Sequence, residues 1–149
     1  MYVANETVPR RLVVSGEAVR AALNETLAAE PGIVAAYLFG SFVRGAAGPL
    51  SDLDVALLVR ETREGGAVRE RTMDALCRRL GTSHVDVVLL GDAPMPLRYR
   101  VVRDGSLVVC RDGAMLERFV ADTVLQYLDF KPLRDGAFRV MRNAILENR

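Results

Sequence analysis

A chain of 149 residues, half of them hydrophobic, can bury one core without disulfides or metal staples. A formal net charge of +1 gives no overall field to gather a long polyanion, so an extended grip on nucleic acid is not expected. No apolar run reaches membrane-span length and residues 1–14 lack a signal-peptide core; the chain reads as soluble and cytoplasmic, with Cys77 and Cys110 as buried free thiols.

Residues 1–14 are weakly patterned. Ser15 is placed to cap a helix in which Val19, Ala22, Leu23 and Leu27 share one face, and Pro31-Gly32 ends it. The apolar run Ile33-Val34-Ala35-Ala36-Tyr37-Leu38-Phe39 has the length of a buried strand and stops at Gly40-Ser41. Turn residues fill 44–51, and 52–59 forms a second strand with acids at its start. The mixed charges of 60–64 suit a solvated face. Gly65-Gly66 opens a helix whose Met73, Leu76, Cys77 and Leu80 repeat at core-facing spacing. A third strand covers 85–90, a short helix 96–103, and a fourth strand 106–110 after the Asp104-Gly105 turn. From Ala114 the pattern is helical to the end, with a break expected at Pro132. Leu116, Val120, Thr123 and Tyr127 make one stripe before it, and Phe138, Met141 and Ile145 another after it. These stripes either fold back on the sheet or dock on a partner chain or a second copy.

Side chains alternate faces along a strand, so Asp52 and Asp54 project together while Leu53, Val55 and Leu57 face the other way. Two adjacent carboxylates repel unless a cation lies between them, and oxygen-only ligands favour magnesium or manganese. Asp86 is a lone acid in the apolar strand Val85-Asp86-Val87-Val88-Leu89-Leu90, and joins the pair as a third ligand if the second and third strands are neighbours. Such a cluster holds one or two metal ions, polarises a phosphoryl group and activates a hydroxyl. The turn Gly40-Ser41-Phe42-Val43-Arg44-Gly45 offers backbone amides and a hydroxyl to a phosphate, with Arg44 one turn on as a cationic contact. A Gly-Ser followed by ten residues and then Asp-Leu-Asp is a specific combination. His84, two residues before Asp86, is open to two readings, a general base or a histidine with structural hydrogen bonds. Tyr99 and Arg100 either line a nucleotide pocket or pack.

Gly40-Ser41, then Ser51-Asp52-Leu53-Asp54, then Asp86 on a later strand together resemble the nucleotidyltransferase superfamily with a DNA-polymerase-β-like palm. The small size is similar to the minimal nucleotidyltransferases, many of them antitoxins paired with a HEPN-domain toxin. Tyr127-Leu128-Asp129-Phe130-Lys131-Pro132 looks like the tail of that subgroup. The resemblance implies an α/β (α+β) fold: a small mixed sheet flanked by helices, one domain over 1–149 with a core at about 15–110 and a helical extension at about 114–149. It implies transfer of AMP from ATP with Mg2+, two ions being possible and Mn2+ able to substitute. Gly40, Ser41 and Arg44 would hold the nucleotide; Asp52 and Asp54 would ligate metal; Asp86 would join them and help deprotonate the acceptor. The implied acceptor is a tyrosine of a HEPN toxin, with oligomerisation through the C-terminal helices. The competing functions are transfer to a small hydroxylated molecule such as an aminoglycoside, and a non-catalytic antitoxin that neutralises by contact.

Overall fold

The computed structural model describes residues 16–40 and 52–147. Ser15, Ser41, Arg44 and Ser51 therefore lie outside the described residues. Element order is α1 (Gly16–Ala28), β1 (Ile33–Phe39), β2 (Leu53–Val59), α2 (Gly65–Leu80), β3 (Val85–Leu89), α3 (Met95–Asp104), β4 (Ser106–Cys110) and α4 (Gly113–Glu147). The four strands form one mixed sheet in the order β3-β2-β1-β4. β1 is antiparallel to β2 and to β4, whereas β2 and β3 run parallel, joined by α2 as the crossover that parallel pairing requires.

β1 and β2 are central strands buried on both faces, which is why they read as nearly unbroken apolar runs. On one face Ala36, Leu38, Leu53, Val55 and Leu57 pack with Val19, Leu23 and Leu27 of α1 and Val68 and Leu76 of α2. On the other, Val34, Tyr37, Ala56 and Leu58 pack with Val101 of α3 and Leu116 of α4. An irregularity in the β1–β2 register between Ile33 and Ala35 pairs Ile33 with Val59 and Ala35 with Leu58, and the members of each pair pack on the same face.

Two devices tie the helices to the ends of the sheet. Arg111 donates to the carbonyls of Leu27, Glu30 and Ile33, closing the C-terminal end of α1 onto β1. Asp112 caps α4: its carboxylate accepts the Met115 N–H at 3.1 Å and also meets Arg60 at 3.2 Å, just past the end of β2. The amide first and the guanidinium second hold the Asp112 carboxyl below its ordinary value.

α4 departs from the sequence expectation, because it runs through Pro132 without ending. Proline deletes one N–H and crowds the carbonyl four residues back, a cost of about 3 kcal/mol in a helix interior. That carbonyl belongs to Leu128, at an exposed position where water can satisfy it, so the helix loses one rung and continues. The stripe before Pro132 lies on the body: Leu116 and Thr123 are buried, and Tyr127 stacks on Tyr99 of α3 with ring centroids 3.7 Å apart. The stripe after it does not, and Phe138, Met141 and Ile145 are exposed. The cysteines also differ from expectation. Cys77 is half-buried and Cys110 is exposed because β4 is an edge strand, though both are free. No helix among the described residues is long and apolar enough to cross a membrane.

Candidate active site

The parallel pairing of β2 with β3 supplies the adjacency on which the third carboxylate depended. Leu53 is in register with Val85, and Asp54 with Asp86. Side chains of paired residues leave a sheet on the same face, so Asp54 and Asp86 are direct neighbours across the ladder. They stand on the face covered by α3 and α4, along with Ala56, Leu58 and Val88, while Leu53, Val55 and Val87 fill the opposite core. One step before the pairing begins, the Leu53 N–H donates to the His84 carbonyl at 2.8 Å, which sets Asp52 beside His84. Four side chains thus form two rungs at one end of the sheet, Asp52 with His84 and Asp54 with Asp86. The rungs are separated by two residues of strand, roughly 6.6 Å.

Asp54 is bordered on its other side by β1, where its register partner is Phe39. The next residue, Gly40, has φ +77°, a conformation that side chains rarely adopt. A Cβ built there would lie 2.3 Å from Asp54 Oδ2. The turn leaving β1 therefore passes so close to the carboxylate that only glycine fits.

Asp52 is bonded by His84, whose Nδ1–H donates to Oδ1 at 3.2 Å, and its side chain keeps 55% of its exposure. Asp86 is exposed and Asp54 half-buried. Among the described residues no three His, Cys, Asp or Glu side chains converge closely enough to hold a metal ion as they stand. The backbone brings the three acids to one end of the sheet. The donor set still suits a hard cation: three carboxylates on one face of two paired strands, one of them against a glycine with no room for a Cβ. Ser41 and Arg44, the other proposed nucleotide contacts, fall outside the described residues.

Tyr99 is a packing residue, stacked on Tyr127 with Arg103 over its other side at 5.4 Å. Its neighbour Arg100 is exposed. Sequence reasoning did not foresee the contact of His84 with Asp52. The available signal was the spacing His84-Val85-Asp86, which places the ring on the same face as the acid.

Fold and site together define a nucleotidyltransferase domain: the polymerase beta, nucleotidyltransferase family model matches residues 21–114, and the chain belongs to that family. No curated protein matches the chain. Among solved structures it is similar to a toxin–antitoxin complex with AMP-PNP, at TM-score 0.70 and 26% identity over 80% of this chain and 95% of that one. It is also similar to the toxin–antitoxin MntA–HepT, at TM-score 0.65 and 24% identity over 83% and 96% of the two chains. A third is the MNT antitoxin in complex with a tri-AMPylated Shewanella oneidensis HEPN toxin, at TM-score 0.66 and 23% identity over 83% and 95%. At such identities the latter two show the fold alone.

Proposed function

We propose that this protein is a Mg2+-dependent adenylyltransferase that moves AMP from ATP to a tyrosine hydroxyl of a HEPN-type toxin and so acts as its antitoxin. The observation that carries the reaction class is the in-register pair Asp54–Asp86, flanked by Asp52 and by a glycine turn that touches Asp54. Asp52 and Asp54 would hold the metal, with Asp86 beside them; a bound divalent ion supplies charge neutralisation for the triphosphate. Gly40 and Ser41 would seat the phosphates and Arg44 would add a positive charge. Asp86, more exposed than Asp54, would help take the acceptor proton. The acceptor oxygen then bonds to the α-phosphorus, the bond to the β-phosphate oxygen breaks, and pyrophosphate leaves.

Support for a protein acceptor comes from α4. It starts beside Arg60, at the end of the sheet away from the acids, and meets α3 at the Tyr99–Tyr127 stack. Residues 128–147 extend about 30 Å beyond that stack. This segment is amphipathic: Leu133, Ala137, Val140, Met141, Ala144 and Ile145 share one face, while Asp135, Arg139, Arg142 and Asn143 lie opposite. Leu133 is 75% exposed and Val140 70%, a large apolar face for a small domain to leave in water. A partner helix laid along it would be held on the catalytic subunit, so that binding and acceptor delivery are one event. The toxin complexes among the structurally similar proteins are consistent with such a partner.

The test is incubation with ATP labelled at the α-phosphate, Mg2+ and the cognate toxin. Label should appear on the toxin and vanish in Asp52→Ala and Asp54→Ala. Neutralisation of the toxin without label, unaffected by those substitutions, would sink the proposal in favour of inhibition by contact.

A further inference from the structure

We infer that His84 is a positioning residue for Asp52, fixing that carboxylate so that the metal site has a preset ligand. The inference rests on the reading of Asp52, Asp54 and Asp86 as a metal site.

His84 is held from both sides of its own peptide. Its N–H donates to Thr82 Oγ1 at 3.0 Å, and its carbonyl accepts the Leu53 N–H at 2.8 Å. The ring is therefore mounted on the parallel ladder, with 29% of its side-chain surface exposed. From there Nδ1 reaches Asp52 Oδ1 at 3.2 Å. A carboxylate at this contact can only accept, so Nδ1 carries the proton, and it does so whether the ring is neutral or cationic.

Asp52 needs such a partner more than Asp54 does. Asp54 lies within β2, paired on both sides and packed against Gly40. Asp52 precedes the strand and is the more exposed of the two, and among the described residues His84 is the one side chain that bonds it. The bond engages one carboxylate oxygen and leaves the other for a cation, the arrangement in which outer hydrogen bonds orient metal-ligating carboxylates. With Nδ1–H committed to Asp52, the contact that the ring makes is with a ligand, and orienting that ligand is the role it carries.

The experiment is Mn2+ binding to the full chain, followed by electron paramagnetic resonance without nucleotide or partner. His84→Ala should weaken binding about 10- to 100-fold, the usual consequence of losing an outer-sphere partner. His84→Asn, whose side-chain amide can donate from near the Nδ1 position, should restore most of the affinity. In an Asp52→Ala background, His84→Ala should cause no further loss. Thermal midpoints in EDTA should match wild type for both histidine variants, which a purely structural role would not allow. Unchanged affinity in His84→Ala, equal losses in the Ala and Asn variants, or an additive loss on Asp52→Ala would overturn the positioning role alone. Absence of Mn2+ binding by the wild type would overturn the metal-site reading and the positioning role with it.

Discussion

The end of the sheet that carries the acids and the distal half of α4 are built on opposite principles. At the sheet end the described candidate groups are placed by the backbone: Asp54 by its register with Phe39 and Asp86, Asp52 by the Leu53–His84 bond, Gly40 by the space that Asp54 leaves. Residues 133–147 have no such framework, and Leu133, Phe138, Val140, Met141, Ile145 and Leu146 are exposed along the helix past the Tyr99–Tyr127 stack. Under the proposed function, the difference makes reaction class and acceptor choice separable. Chemistry is proposed to sit at the end of the sheet, and recognition on the exposed helix.

Substitutions can break that separation or sharpen it. Asp54→Ala should reduce transfer about 10^3-fold, as loss of several kcal/mol of charge stabilisation implies, while leaving toxin binding intact in a pull-down. Within α4, Leu116→Ala should cost roughly 3 kcal/mol in denaturant unfolding, because Leu116 is 7% exposed and packed under Val101 and Tyr37. Leu133→Ala, past the proline, should stay within about 0.5 kcal/mol of wild type.

Placing Asp at Phe138, Met141 and Ile145 together should leave the thermal midpoint and Mn2+ binding unchanged. Toxin-directed transfer should fall about 10^2-fold through weaker association, measured as affinity by calorimetry. Gly40→Ala should destabilise by about 1–2 kcal/mol through its left-handed backbone, and should lower activity by displacing the Asp54 carboxylate. Asp112→Ala should lower the thermal midpoint modestly, from losing the α4 cap. Because the folded Asp112 carboxyl is held below its unfolded value of about 3.9, its contribution is complete above that value. It fades as pH drops through the lower folded value, so wild type and variant should converge in acid.

Much of the candidate site's placement was legible because strand alternation is a local rule. Asp52 and Asp54 could be assigned one face, and Leu53, Val55 and Leu57 the other, from order alone, and the core packing agrees. Asp86 required knowing that β2 and β3 pair, which is a property of topology, set by the α2 crossover and invisible in either strand. The closeness of Gly40 to Asp54 depends likewise on the β1–β2 register. At Pro132 a local rule misled: proline weakens a helix by one hydrogen bond, and the helical pattern on both sides, at a position where Leu128 is exposed, outweighs it. Cys110 was misplaced for a related reason, since an apolar strand looks the same at an edge as at the centre until the strand order is known.

The most direct test of the central claim is peptide mass spectrometry of the cognate toxin co-expressed with this protein. The account predicts AMP on a toxin tyrosine with the wild-type chain and none with Asp54→Ala, although the toxin still binds. A toxin that is neutralised yet unmodified, or modified equally by Asp54→Ala, would contradict it.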